Sequence, residues 1–180
     1  MSHGFDAHRV FISAPGDLGR DRQACYDTIS HINESIAMQA KVLMVSIGLR
    51  DSEQIVSHRE ITSDNVRWSS YFIQVFQDDW GPRDLFRKLF LLALECRDDP
   101  AAPMQDVVVC LKDAPHERNA DVLESRRDLE ERTDVRVIRY ATVEQMREEL
   151  EKVCASWAQA VIAQRQGAGA DGDGAELMQT

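Results

Sequence analysis

The sequence predicts an α/β fold: a single doubly wound domain in which a five-stranded parallel sheet is flanked by helices, with flavodoxin-like layering. Two observations carry this prediction. Five short runs, near residues 10–12, 42–47, 71–76, 106–111 and 135–140, are almost continuously apolar, as strands covered on both faces are. The segments between them place apolar residues three and four apart, so strand and helix alternate about five times.

The first strand holds Val10, Phe11 and Ile12 and breaks at Pro15-Gly16, where Asp17 is placed to cap the next helix. Cys25, Ile29, Ile32 and Ile36 then recur at helical spacing, which predicts an amphipathic helix from 18 to about 39. Its opposite face carries Arg20, Asp21, Asp27 and Glu34. Val42 to Ile47 is a second strand, rich in β-branched residues and closed by Gly48. Residues 53–63, with Ile55, Val56 and Ile61, read as a shorter helix. Tyr71 to Phe76 is the third strand and ends in Gln77-Asp-Asp-Trp-Gly-Pro82. Pro82 suits a first helical turn, and the helix that follows is apolar over most of its circumference from Leu85 to Cys96, which predicts deep burial or an interface. Asp98 to Pro103 is a stiff polar connector before the fourth strand, Asp106 to Leu111, which Lys112, Asp113 and Pro115 end. A charged helix near 119–132 reads as a solvated face, and Val135 to Tyr140 as the fifth strand. Thr142-Val-Glu-Gln145 matches a capping box, with Met146, Leu150, Val153, Trp157 and Val161 on one helical face behind it. The domain is expected over residues 9–164, between a flexible leader at 1–8 and a disordered tail at 165–180 whose glycine, alanine and aspartate content is too poor in apolar groups to offset ordering entropy.

A chain of 180 residues fits one domain with a substantial core. The formal net charge of -10 argues against a surface that coats nucleic acid. No secretory leader and no apolar stretch of membrane-spanning length are seen, so a cytoplasmic protein without a membrane partner is expected. Cys25, Cys96, Cys110 and Cys154 are widely spaced and sit in apolar surroundings, which reads as reduced core thiols rather than disulfides or a zinc site. His3, His8, His31, His58 and His116 assemble no hydrolytic triad. No metal-ligand spacing is present, Asp171 and Asp173 included, so no metal site and no resident cofactor are expected.

Strand ends deliver polar residues to one edge of such a sheet: Ser13 and Asp17; Arg50 and Asp51; Asp78, Asp79, Trp80, Arg83 and Asp84; Lys112 and Asp113. The first turn offers the Ser13 hydroxyl and backbone N–H groups to an anion, but carries no dinucleotide fingerprint and no phosphate-loop lysine. Trp80-Gly-Pro-Arg-Asp84-Leu85 is the more suggestive segment. An aromatic plane beside Arg83 and the Asp84 carboxylate is suited to stacking a base and holding a ribose, while a structural reading packs Trp80 beneath the loop and leaves Asp84 to complement the helix dipole.

Val10-Phe-Ile-Ser13, Asp17-Leu18, the pair Asp21-Arg22, the strand Tyr71 to Phe76, Trp80-Gly81, Leu123 to Leu129 and Tyr140-Ala-Thr142 together resemble the bacterial domain of unknown function 4062 family, a relative of TIR and nucleoside deoxyribosyltransferase-like folds. The resemblance spans about residues 8–160. It implies a TIR-like signalling or defence module that binds a nucleotide such as NAD, as ligand or substrate, at the carboxyl edge of the sheet. Enzymatic TIR domains carry a glutamate that cleaves the nicotinamide–ribose bond in a Trp-x-x-x-Glu-Leu setting, and the matching positions here are Trp80, Asp84 and Leu85. Aspartate is one methylene shorter, and a misplacement of about 1 Å removes about two orders of magnitude in rate. Ala14 also stands where the family has a second serine. The implied activity is therefore weak or absent, with Asp84 the candidate catalytic residue and Ser13, Asp17, Trp80 and Arg83 the candidate ligand contacts. The alternative is a noncatalytic interaction domain, acting by self-association through the apolar helix 85–96 or the last helix, or with an effector on another chain.

Overall fold

A computed structural model describes residues 4–48 and 59–170. Five strands, β1 (Asp6–Ser13), β2 (Val42–Gly48), β3 (Tyr71–Phe76), β4 (Asp106–Lys112) and β5 (Arg136–Tyr140), form one sheet in the order β2-β1-β3-β4-β5. All four pairings are parallel. This is the doubly wound order whose direction reverses at β1 and β3, the expected α/β architecture. β1 begins at Asp6, three residues before the expected domain start, because Asp6 to Arg9 pair with Val42 to Val45 of β2. Gly48 ends β2 where a Cβ would meet the Ile12 carbonyl oxygen at 2.6 Å, so the strands approach too closely there for any side chain.

The helices are α1 (Gly19–Ile32), α2 (Arg59–Arg67), α3 (Leu85–Asp98), α4 (Ala120–Glu130) and α5 (Val143–Ala170). α1 and α5 cover one face of the sheet, burying Cys25, Ile29, Met146, Leu150 and Trp157 against Val10, Ile12, Ile73 and Cys110. α2, α3 and α4 cover the other, where Val66, Phe86, Leu89 and Leu129 pack on Phe11, Phe72 and Val109. The apolar surplus of α3 is thus absorbed by the core: seven of its residues are buried, and Leu91, 44% exposed, is its one large exposed apolar side chain among the described residues. Of the helix expected at 53–63, residues 53–58 lie outside the described residues, and α2 runs on to Arg67.

Two corrections concern α1. Asp17 is exposed and does not cap it; Leu18 takes the N-cap position, with no side-chain hydrogen bond. The reason is packing: Leu18 is 2% exposed, and its N–H donates to the Pro15 carbonyl at 3.0 Å, which starts the helix one residue later. Asp21, read as part of the polar face, is 2% exposed. Tyr140 Oη donates to Asp21 Oδ1 at 2.8 Å and Lys112 Nζ donates to Oδ2 at 3.1 Å, so one buried carboxylate ties α1 to β4 and β5. Beyond Ile32 the helix widens into a π-turn, Asn33–Ala37, and closes in a 3-10 turn at Met38–Ala40. The Asn33 side chain there reaches the sheet: Met44 N–H donates to Oδ1 and Nδ2 donates to the Met44 carbonyl, both at 2.8 Å.

The capping box forms as expected, with Gln145 N–H donating to Thr142 Oγ1 and Ala141 N–H to Gln145 Oε1. α5 continues to Ala170, six residues into the segment expected to be a tail: extending a helix that the preceding turns have already nucleated costs little, even through Gly167 and Gly169. Trp157 anchors it by stacking on Tyr71, ring centroids 4.5 Å apart, and donating Nε1–H to Asp106 Oδ2 at 2.8 Å. No helix among the described residues is long and apolar enough to cross a membrane.

Candidate functional site

β1 and β3 are adjacent parallel strands, with Ser13 opposite Gln74, so the turns after them leave the same edge of the sheet. The turn after β3 is built on Asp79 and Gly81. Gly81 N–H donates to Asp79 Oδ1 at 2.8 Å, and Gly81 has φ +73°, where a Cβ would strike the Phe86 ring at 2.6 Å. Pro82–Asp84 then form a 3-10 turn, not the first turn of an α-helix, with Arg83 and Asp84 both left-handed at φ 55° and 53°. Two consecutive non-glycine residues in that region are costly, about 1 kcal/mol or more each. Arg126 fixes the opposite side, its Nη1 donating to the Gln77 carbonyl at 2.6 Å and the Lys112 carbonyl at 2.8 Å, which holds α4 beside the ends of β3 and β4. The start of α4 is set by Asn119, whose Oδ1 accepts from the Asp121 and Val122 N–H groups.

Between these segments lies a cleft of about 520 Å³. Trp80 and Asp84 both line it, together with Asp78, Asp79, Asp121, Glu124 and Asp128. Arg87 is the one cation on its wall among the described residues. Six carboxylates thus face a single guanidinium. Asp78 feels this directly: partial burial, reinforced by the charges of Asp17, Glu117 and Asp79, raises its carboxyl above the ordinary range, while Arg126 pulls the other way. Asp17 is near enough to act on Asp78, but it is not on the cleft wall.

The residues singled out from the sequence divide as follows. Trp80 and Asp84 share the cleft. Trp80 is 8% exposed, with Phe76 at a centroid distance of 4.2 Å and Phe90 at 6.3 Å as its ring neighbours, so little of the indole surface is open to a base. Its Nε1–H is buried, with no acceptor among the described residues. Asp84 is exposed and caps no N–H of α3. Arg83 is exposed and off the cleft wall. Ser13 is 1% exposed, also off that wall, and its hydroxyl has no partner among the described residues. Arg50 and Asp51 lie outside the described residues. Lys112 is committed to Asp21.

Two features escaped the sequence reading. Asp121, Glu124 and Asp128 are exposed, as a solvated face requires, and their three- and four-residue spacing also makes them an acidic stripe on the cleft wall that Trp80 shares. Gln74, 0% exposed in an otherwise apolar strand, donates Nε2–H to the Ser13 carbonyl at 3.3 Å and the Val75 carbonyl at 3.0 Å, leaving Oε1 without a partner among the described residues. One polar residue inside a continuous apolar run was the available clue.

The cysteines add no chemistry. All four are free and buried, and burial raises the Cys25, Cys110 and Cys154 thiols far from the thiolate form a nucleophile needs. No group of three or more histidine, cysteine or acidic side chains among the described residues is arranged to hold a metal ion. Comparison with models of protein families and with curated proteins gives no match to this chain.

Proposed function

We propose that this chain is a noncatalytic interaction module on a TIR-like α/β frame, and that the acidic cleft beside Trp80 is its binding surface. The observation that carries this reading is the charge of the cleft wall, six carboxylates against Arg87. Like unit charges about 6 Å apart repel by about 0.7–3 kcal/mol across the range of effective dielectric constants from water to protein surface. A dinucleotide brings two phosphate charges into that field. The burial of Trp80, 8% exposed, and the position of Arg83 off the wall weaken the two contacts that would offset the repulsion.

A second reading, a nucleotide-binding module with weak glycohydrolase activity at Asp84, is supported by one observation: Trp80 and Asp84 line the same cleft at the spacing of the resembled motif. Incubating the purified protein with NAD and following nicotinamide release separates the two. The interaction reading expects no release above buffer and no saturable NAD binding. Turnover that disappears in Asp84→Asn overturns it.

A further inference from the structure

We propose that a second cleft, on the face of the sheet opposite the acidic one, binds a phosphate monoester. It is independent of the interaction reading, and either can fail without the other. The cleft, of about 460 Å³, lies between the N-terminal halves of α1 and α5, beyond the ends of β4 and β5. Its wall carries Arg20 from α1, Arg147 from α5 and Lys112 from the end of β4, with Asp27 and Glu144 as the carboxylates. In a chain with 31 acidic and 21 basic side chains, three cations from three separate elements converge there.

The carboxylates do not neutralise the arginines. Asp27 Oδ1 accepts from Gln23 Nε2 at 2.9 Å, on its own helix. Neither Arg20 nor Arg147 makes an ion pair or a side-chain hydrogen bond among the described residues, although Asp27 and Glu144 share the wall with them. Each guanidinium therefore keeps its planar fork of donors for an oxyanion. Lys112 is the fixed member of the set. Its Nζ donates to Asp21 Oδ2 at 3.1 Å, and Asp21, 2% exposed, accepts in turn from the Tyr140 hydroxyl at 2.8 Å. An ammonium has three N–H donors, so the contact with Asp21 leaves the rest of them unspent on a side chain that is 25% exposed.

Three cations against two carboxylates, with Asp21 behind Lys112, give the wall little net charge, so a long polyanion gains little from it. A compact oxyanion gains more, because the two-bond contact between guanidinium and phosphate is set by local geometry. A phosphate monoester carries about -1.5 to -2 charge at pH 7 and three strong acceptor oxygens. Among the described residues no aromatic side chain lines the cleft, so a nucleoside finds no ring to stack on and the phosphate group itself is what is recognised.

The test is an NMR titration of the isotope-labelled protein with inorganic phosphate, with phosphoserine blocked at both termini, and with AMP, ionic strength being balanced by sodium chloride. Saturable shifts at the amides of Arg20, Gln23 and Arg147 are expected, with AMP binding no tighter than phosphoserine. Arg20→Gln and Arg147→Gln, both at exposed positions, should each weaken binding about two- to fivefold with the folded spectrum retained. Glu144→Gln, which takes a carboxylate off the wall, should tighten it by a similar factor, and Arg127→Gln, exposed on α4 and off this cleft, should leave it unchanged. Binding should also weaken as pH falls through about 6, where the monoester takes up its second proton. Shifts that chloride alone reproduces, binding indifferent to both arginine changes, or weaker binding in Glu144→Gln overturns the site. AMP binding tenfold or more tighter than phosphoserine overturns the assignment of the phosphate group as the part recognised.

Discussion

Replacing Lys112 by methionine probes the most consequential polar contact in the core. Asp21 is 2% exposed, and among the described residues its oxygens accept from Lys112 Nζ at 3.1 Å and Tyr140 Oη at 2.8 Å. Methionine retains the aliphatic stem and removes the charge, so the carboxylate keeps a single neutral donor in a low-dielectric site. Breaking a buried pair by removing one partner costs about 3–5 kcal/mol. The Lys112 side chain is 25% exposed, so water reaches the vacated end and the cost falls near the lower figure, about 3 kcal/mol. Urea unfolding followed by tryptophan fluorescence measures it. With a slope of about 2 kcal/mol per molar urea, the midpoint falls by about 1.5 M. Tyr140→Phe, which removes one hydrogen bond to a charged group, should cost about 1.5–3 kcal/mol. Asp21→Asn combined with Lys112→Met should cost less than the sum of the two single changes, because the double variant strands no charge. A cost below about 1 kcal/mol for Lys112→Met, or strict additivity in that cycle, refutes the claim that this carboxylate ties α1 to β4 and β5.

Three further outcomes are expected. Asn119→Ala should lower stability by about 1 kcal/mol by unpairing two N–H groups at the start of α4, read as a shift in the urea midpoint. Arg83→Gly should stabilise by about 0.5–1 kcal/mol, since φ 55° costs an arginine and not a glycine, and a lower thermal midpoint would count against the strained turn. Hydrogen bonds from Arg132, first, and Arg97 hold the Asp134 carboxyl down to about 2. A depressed folded value contributes stability above the ordinary carboxylate range that is lost as pH falls through about 2, so the deficit of Asp134→Asn should narrow over that fall. With the Asp134 side chain 41% exposed, that deficit stays below about 1 kcal/mol, and a deficit constant with pH would contradict the assignment.

The architecture was legible because its strands are buried on both faces: Tyr71 to Phe76 is apolar at every position but one, and its predicted limits coincide with β3. The last helix was equally legible, since Thr142 and Gln145 act locally on the backbone they adjoin. What the sequence concealed depends on contacts between distant segments. Asp21 reads as a surface residue until Tyr140, 119 positions away, is placed against it. The burial of Trp80 depends on Phe76 and on Phe90, ten positions on, and the acidity of the cleft depends on α4 lying beside β3 and β4, where Arg126 bonds the Gln77 and Lys112 carbonyls. Helix starts were misjudged for a related reason: at Asp17 the local capping preference lost to the burial of Leu18. The candidate site was thus half visible, in the segment after β3, and half supplied by a helix whose charges looked merely solvated.

β2 is an outer strand of the sheet, and an outer strand ordinarily presents free amides and carbonyls to any passing extended chain. The Asn33 carboxamide occupies that position at Met44, matching both backbone groups as a neighbouring strand would. The π-turn that carries Asn33 thus pairs the two Met44 backbone groups, and an extended chain adding itself at that point of the edge would first have to displace the carboxamide.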